Sequence, residues 1–124
     1  MIPPPPEWAG ELEVLELEGV PSMRETVALH VPSRTLIVAD LAMNFPGDHP
    51  AWQELLIKIA VGRDHTPGIA RSFKVMAKDE AALKKSIARM MTWDFDRLIV
   101  GHGSPILTDA KARLSRALSA AKLL

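Results

Sequence analysis

Between residues 11 and 18, charged and apolar side chains alternate: Glu11, Glu13, Glu16 and Glu18 against Leu12, Val14, Leu15 and Leu17. A period of two turns one face of a strand to a core and the other to water. The doublet Val14-Leu15 breaks the alternation and predicts a bulge. Residues 19–22 read as a turn, and residues 25–31 as a second strand rich in β-branched and apolar side chains. Pro32-Ser33-Arg34 is short enough for a hairpin connection. Residues 35–41 form a third strand, with Leu36, Val38 and Asp40 on one face and Ile37, Ala39 and Leu41 on the other. A run apolar on both faces belongs inside a covered sheet.

The period then changes. Trp52, Leu55, Leu56, Ile59 and Ala60 recur at helical spacing and predict a helix over 50–61, with Asp48 as its cap and Pro50 in its first turn. Gly62 stops it, and Pro67-Gly68 forces a turn within an undecided stretch at 63–76. Asp79 caps a second helix, over 79–92, with Leu83, Ile87, Met90 and Met91 on one face and Lys84, Lys85 and Arg89 on the other. Residues 97–100 form a short strand that joins the same sheet, and residues 101–105 a loop. Thr108 or Asp109 begins a last helix over 108–123, with Ala110, Leu114, Ala117, Leu118 and Ala121 inside. The fold class is α/β, with a mainly antiparallel sheet and helices on one face.

Composition narrows the function more than the fold. With 124 residues, 48% of them hydrophobic, the chain is of single-domain size: a Pro-rich arm over 1–10 and one domain over 11–124. Pro3 to Pro6 favour an extended polyproline II arm. Fifteen basic residues balance fifteen acidic ones, so there is no global attraction to nucleic acid or to anionic membrane, and little self-repulsion. The absence of cysteine removes disulfides and thiolate chemistry and fits a cytoplasmic setting. No apolar run reaches the ~20 residues of a membrane span, and the N-terminus lacks the pattern of a signal peptide.

Two residues stand in unusual places. Asp40 is a carboxylate in an apolar strand, which needs a partner, a hydrogen bond or a metal. His102 follows the short strand 97–100 between Gly101 and Gly103, where a neutral imidazole suits a metal. Both follow apolar strands at the end where α/β proteins place chemistry, so the two are expected to approach each other. Other candidates read as ordinary structure. His30 belongs on a sheet face, and His49 lies exposed beside a helix start. Asp64-His65-Thr66-Pro67-Gly68 is turn chemistry. Ser22, Ser33 and Ser104 lack a triad pattern, Gly101-x-Gly103 is too short for a phosphate loop, and Trp8, Trp52 and Trp93 are too scattered to stack bases.

Thr26-Val27-Ala28-Leu29-His30, a hairpin, and Leu36-Ile37-Val38-Ala39-Asp40-Leu41 resemble the metallo-β-lactamase superfamily segment that ends in the metal-bridging aspartate. Asp94-Phe95-Asp96-Arg97-Leu98-Ile99-Val100-Gly101-His102-Gly103-Ser104-Pro105 resembles its last metal-ligand loop, before the terminal helix. The resemblance runs from Glu11 to Leu123 and is nearest to a hydrolase-like branch. It implies half of an αββα sandwich, with Asp40 as the bridging ligand and His102 as a ligand of the second metal. In the whole fold, two metals activate a hydroxide for hydrolysis.

The chain departs from that pattern. It contains no H-x-H-x-D-H, and residues 19–23 lack the histidine expected before the hairpin. The similar Asp64-His65-Thr66-Pro67-Gly68 stands after Asp40, where the family has its counterpart before. Two ligands fall short of the three protein donors of a catalytic zinc. Three readings follow. The first is a non-catalytic half-fold that self-associates and holds no metal tightly. The second is a hydrolase whose zinc site is completed across a subunit interface, with His30 or His65 joining Asp40 and His102. The third is the C-terminal fragment of a longer hydrolase. Half a sandwich leaves one sheet face bare, so a homodimer packed sheet to sheet is expected.

Overall fold

The computed structural model describes residues 5–8, 10–61 and 67–124. Among these described residues, seven strands and four α-helices follow in the order β1 (Leu12–Glu16), β2 (Thr26–His30), β3 (Thr35–Ile37), β4 (Ala42–Asn44), α1 (Ala51–Val61), β5 (Gly68–Ile69), α2 (Arg71–Met76), α3 (Glu80–Met90), β6 (Arg97–Ile99), β7 (His102–Gly103) and α4 (Ala110–Ala120). The expected α/β class holds, and the helices over 50–61, 79–92 and 108–123 are present with slightly tighter bounds. There are two small sheets rather than one. The first has the order β1-β2-β3-β6, antiparallel except for the parallel β3–β6 pair; the second has the order β5-β4-β7.

The register explains the burial. Leu15 pairs with Val27, and Leu29 with Leu36. Leu36 in turn pairs with Leu98, placing Val27, Leu29, Leu36 and Leu98 on one face, all buried. Leu83, Ile87 and Met90 of α3 and Leu114 and Leu118 of α4 join them in one hydrophobic cluster. Fully burying a side chain of this size contributes about 1.5–3 kcal/mol before its entropy cost. The opposite face carries the cross-strand row Val14, Ala28, Ile37 and Ile99, half-buried apart from the exposed Ile99.

Several local expectations change. The β1–β2 register runs without interruption from Leu12↔His30 to Glu16↔Thr26, so Val14-Leu15 forms no bulge. Instead Val14 lies on the outer face and Leu15 against the core. The third strand ends at Ile37: the chain bends at 39–41 and resumes as β4 in the second sheet. Leu41 is therefore buried, whereas Ala39 on the same nominal face is exposed. Helix α1 begins one residue after Pro50, so Pro50 and not Asp48 stands at its cap position. The undecided stretch holds β5 and the six-residue α2, whose Phe73 is fully buried. Of the Pro-rich arm, residues 1–4 and 9 lie outside the described residues; Pro6–Trp8 is a 3-10 turn closed by Trp8 N–H donating to the Pro5 carbonyl at 3.0 Å, not an extended helix.

Capping is mixed. The Asp79 side chain accepts from Ala82 N–H at 3.1 Å, as a cap should. Asp109 sits in the left-handed region at φ 57° and makes no side-chain cap. Asp96 takes over: its carboxylate accepts from Asp109 N–H at 3.0 Å and its carbonyl from Ala110 N–H at 3.1 Å. Arg34 grips Asp94 through two hydrogen bonds of 2.8 and 3.2 Å. The Arg34 carbonyl also accepts from Asp96 N–H at 2.9 Å, which aligns β6 beside β3.

Candidate functional site

Asp40 and His102 are brought together by two chain segments that change sheets side by side. The parallel β3–β6 ladder ends with Val38 N–H donating to the Ile99 carbonyl at 2.9 Å, and Gly101 N–H then donates to the Ala39 carbonyl at 3.0 Å. Pairing resumes in the second sheet as Met43↔His102 and Asn44↔Gly103. Asp40 occupies the bend on one segment, and His102 follows Gly101 on the other. His102 Nε2 lies 3.3 Å from Asp40 Oδ1, and the side chains are 58% and 50% exposed. The expected approach of these residues is met, on a surface open to solvent. An exposed pair of this kind contributes at most about 1 kcal/mol to stability, so folding energy does not explain why a carboxylate and an imidazole meet here.

Two glycines make the close pairing feasible. A Cβ on Gly101 would run into the Ala39 backbone, and one on Gly103 into the Asn44 carbonyl. Gly103 also takes φ +105°, which side-chain-bearing residues rarely adopt. Ser104 N–H donates to the Asn44 carbonyl at 2.9 Å, and the buried Asn44 side chain returns a bond from Nδ2 to the Ser104 carbonyl at 2.8 Å.

Glu25 holds the bend from beneath, a role the sequence reading missed. Its buried Oε1 accepts from Ala39 N–H at 2.5 Å and Asp40 N–H at 2.6 Å. One carboxylate thereby occupies consecutive N–H groups that an unbroken strand would give to a ladder. Burial pushes the Glu25 carboxyl above its ordinary range; the Asp40 and Ala39 N–H groups oppose that rise, and the Asp40 carboxylate adds to it. Its Oε2 is buried without a hydrogen-bond partner among the described residues. The only sequence signal for this role is a lone charge beginning an apolar strand, which is weak because many strands begin so.

His30 and His49 stay outside the pair. His30 is exposed on the outer sheet face, with Nδ1 2.6 Å from Ser33 Oγ. His49 is half-buried rather than exposed: Nε2 lies 3.2 Å from the Phe45 carbonyl, and its ring meets Phe45 edge-on. His65 lies outside the described residues. A cleft of about 380 Å³ near the 17–24 turn is lined by Glu16, Glu18 and Arg24, not by Asp40 or His102.

The donor set tests the implied metal. A carboxylate and a neutral imidazole are both zinc ligands, but a catalytic zinc takes three protein donors and a water. Among the described residues no three His, Cys, Asp or Glu side chains gather closely enough to hold a metal ion. The pair offers two of the three protein donors that a catalytic zinc takes, so the described residues of one chain do not fit a catalytic site. Also among the described residues, no helix is long and apolar enough to cross a membrane. No family model matches the chain, and a search of the curated proteins returns no match.

Proposed function

We propose that this chain is a non-catalytic half of a metallo-β-lactamase-like fold, with Asp40 and His102 as the remnant of its metal site and a second copy of itself as its partner. The observation that carries this reading is the pair itself: a carboxylate and an imidazole 3.3 Å apart at the carboxyl ends of a parallel ladder, with no third donor gathered among the described residues. The bend built by Glu25, Gly101 and Gly103 supports it, because it holds Asp40 and His102 together on an open surface while it turns Leu41 into the core. The row Val14, Ala28, Ile37 and Ile99 supports a sheet-to-sheet contact, since two such rows facing each other would supply the inner layers of a sandwich.

The test is hydrolysis. The purified chain, supplied with excess zinc, is assayed against generic ester and lactam substrates over a range of protein concentration. The proposal expects no turnover above free zinc at any concentration. Turnover rising with the square of protein concentration and lost in His102→Ala would replace it with a hydrolase completed across a subunit interface, which the half-exposed pair leaves room for.

A further inference from the structure

Helix α1 is turned inside out. Trp52, Leu55, Leu56 and Ile59 form the apolar stripe that predicts the helix, yet they are 64%, 60%, 57% and 61% exposed. The helix is anchored by Ile57, which is 9% exposed and lies about 150° round the axis from the stripe. We infer that α1 is a self-docking element: its outward stripe packs antiparallel against the same stripe of a second copy.

Three observations select a second copy as the occupant. The spacing 52, 55, 56, 59 reads the same in both directions. A two-fold axis between Leu55 and Leu56 therefore sets Trp52 against the partner's Ile59 and Leu55 against the partner's Leu56, the self-complementarity an isologous contact requires. The area is also close to what is needed. Four large side chains exposed to this extent present about 400–500 Å² per chain, so full burial on both chains brings the contact to the ~1,000 Å² expected of a weak specific interface. Finally, the charge balance raises no repulsion between copies. A membrane surface suits α1 less well, because Lys58 is its one basic residue and interfacial helices carry several.

This contact is separate from the sheet-face contact proposed above, and the experiment isolates it. Ile99→Lys places a charge on the exposed outer sheet face and removes that contact. Sedimentation equilibrium at tens of micromolar then reads α1 alone. The expected result is a dimer of 13.6 kDa chains for Ile99→Lys, and a monomer when Leu55→Glu and Leu56→Glu are added. Circular dichroism should be the same for both, since every substituted position is exposed. A wild type heavier than Ile99→Lys supports the sheet contact; equal masses remove that contact and leave α1 standing. A monomeric Ile99→Lys, or a triple variant that remains dimeric, overturns the α1 inference. The chain has no cysteine, so register is read directly. Trp52→Cys mixed with Ile59→Cys should oxidise to the mixed dimer in excess of either homodimer. Predominance of homodimers would overturn the antiparallel arrangement.

Discussion

Glu25 decides the geometry at the residue scale. Removing it in Glu25→Ala strips the acceptor from Ala39 and Asp40 N–H and is expected to cost about 2 kcal/mol or more in urea unfolding. Glu25→Gln keeps an acceptor and removes the buried charge. Because burial raises the carboxyl's folded pKa above its unfolded value, the folded state holds this proton more tightly. The resulting stability is full below the ordinary glutamate range and is lost as pH rises through the raised folded value. Glu25→Gln should abolish that decline, and a variant whose stability falls with pH as the wild type's does would contradict the assignment. Gly103→Ala is the second residue-scale test: positive φ and the Asn44 carbonyl together should cost about 2 kcal/mol or more. A melting temperature unchanged from wild type would show that the two loops are not held as described.

Element by element, what could be read from the sequence follows what side-chain pattern encodes. Alternation marks β1, β-branched and apolar richness marks β2, and helical spacing marks α1, α3 and α4. The strand over 35–41 was over-extended for a physical reason. Leu36 to Leu41 has the composition of a buried strand, and the bend at 39–41 comes from Glu25, fourteen residues before Ala39 in the chain. Pattern also cannot say which way a stripe faces: Trp52, Leu55, Leu56 and Ile59 mark a helix correctly while facing outward. The approach of Asp40 and His102 was legible because both close apolar strands, whereas the turn that admits His102 depends on the close contacts of Gly101 and Gly103. Helix α1, anchored by Ile57, should exchange its amides well before α3, which buries Leu83, Ile87 and Met90. Hydrogen exchange on the monomeric triple variant checks this, and equal protection of the two helices would contradict the placement of α1.

At the scale of the whole molecule, the described residues form one hydrophobic cluster and two small sheets, and the polar pair and apolar rows face outward. The proposed half-fold with a remnant site would account for these features together: the outer sheet row and α1 would each dock against a second copy, and Asp40 and His102 lack further donors among the described residues. The most direct measurement is zinc retained per chain after dialysis against a chelator, for wild type and His102→Ala. The account predicts well under one zinc per chain in both. Stoichiometric zinc in the wild type, lost in His102→Ala, would contradict it and establish a complete metal centre.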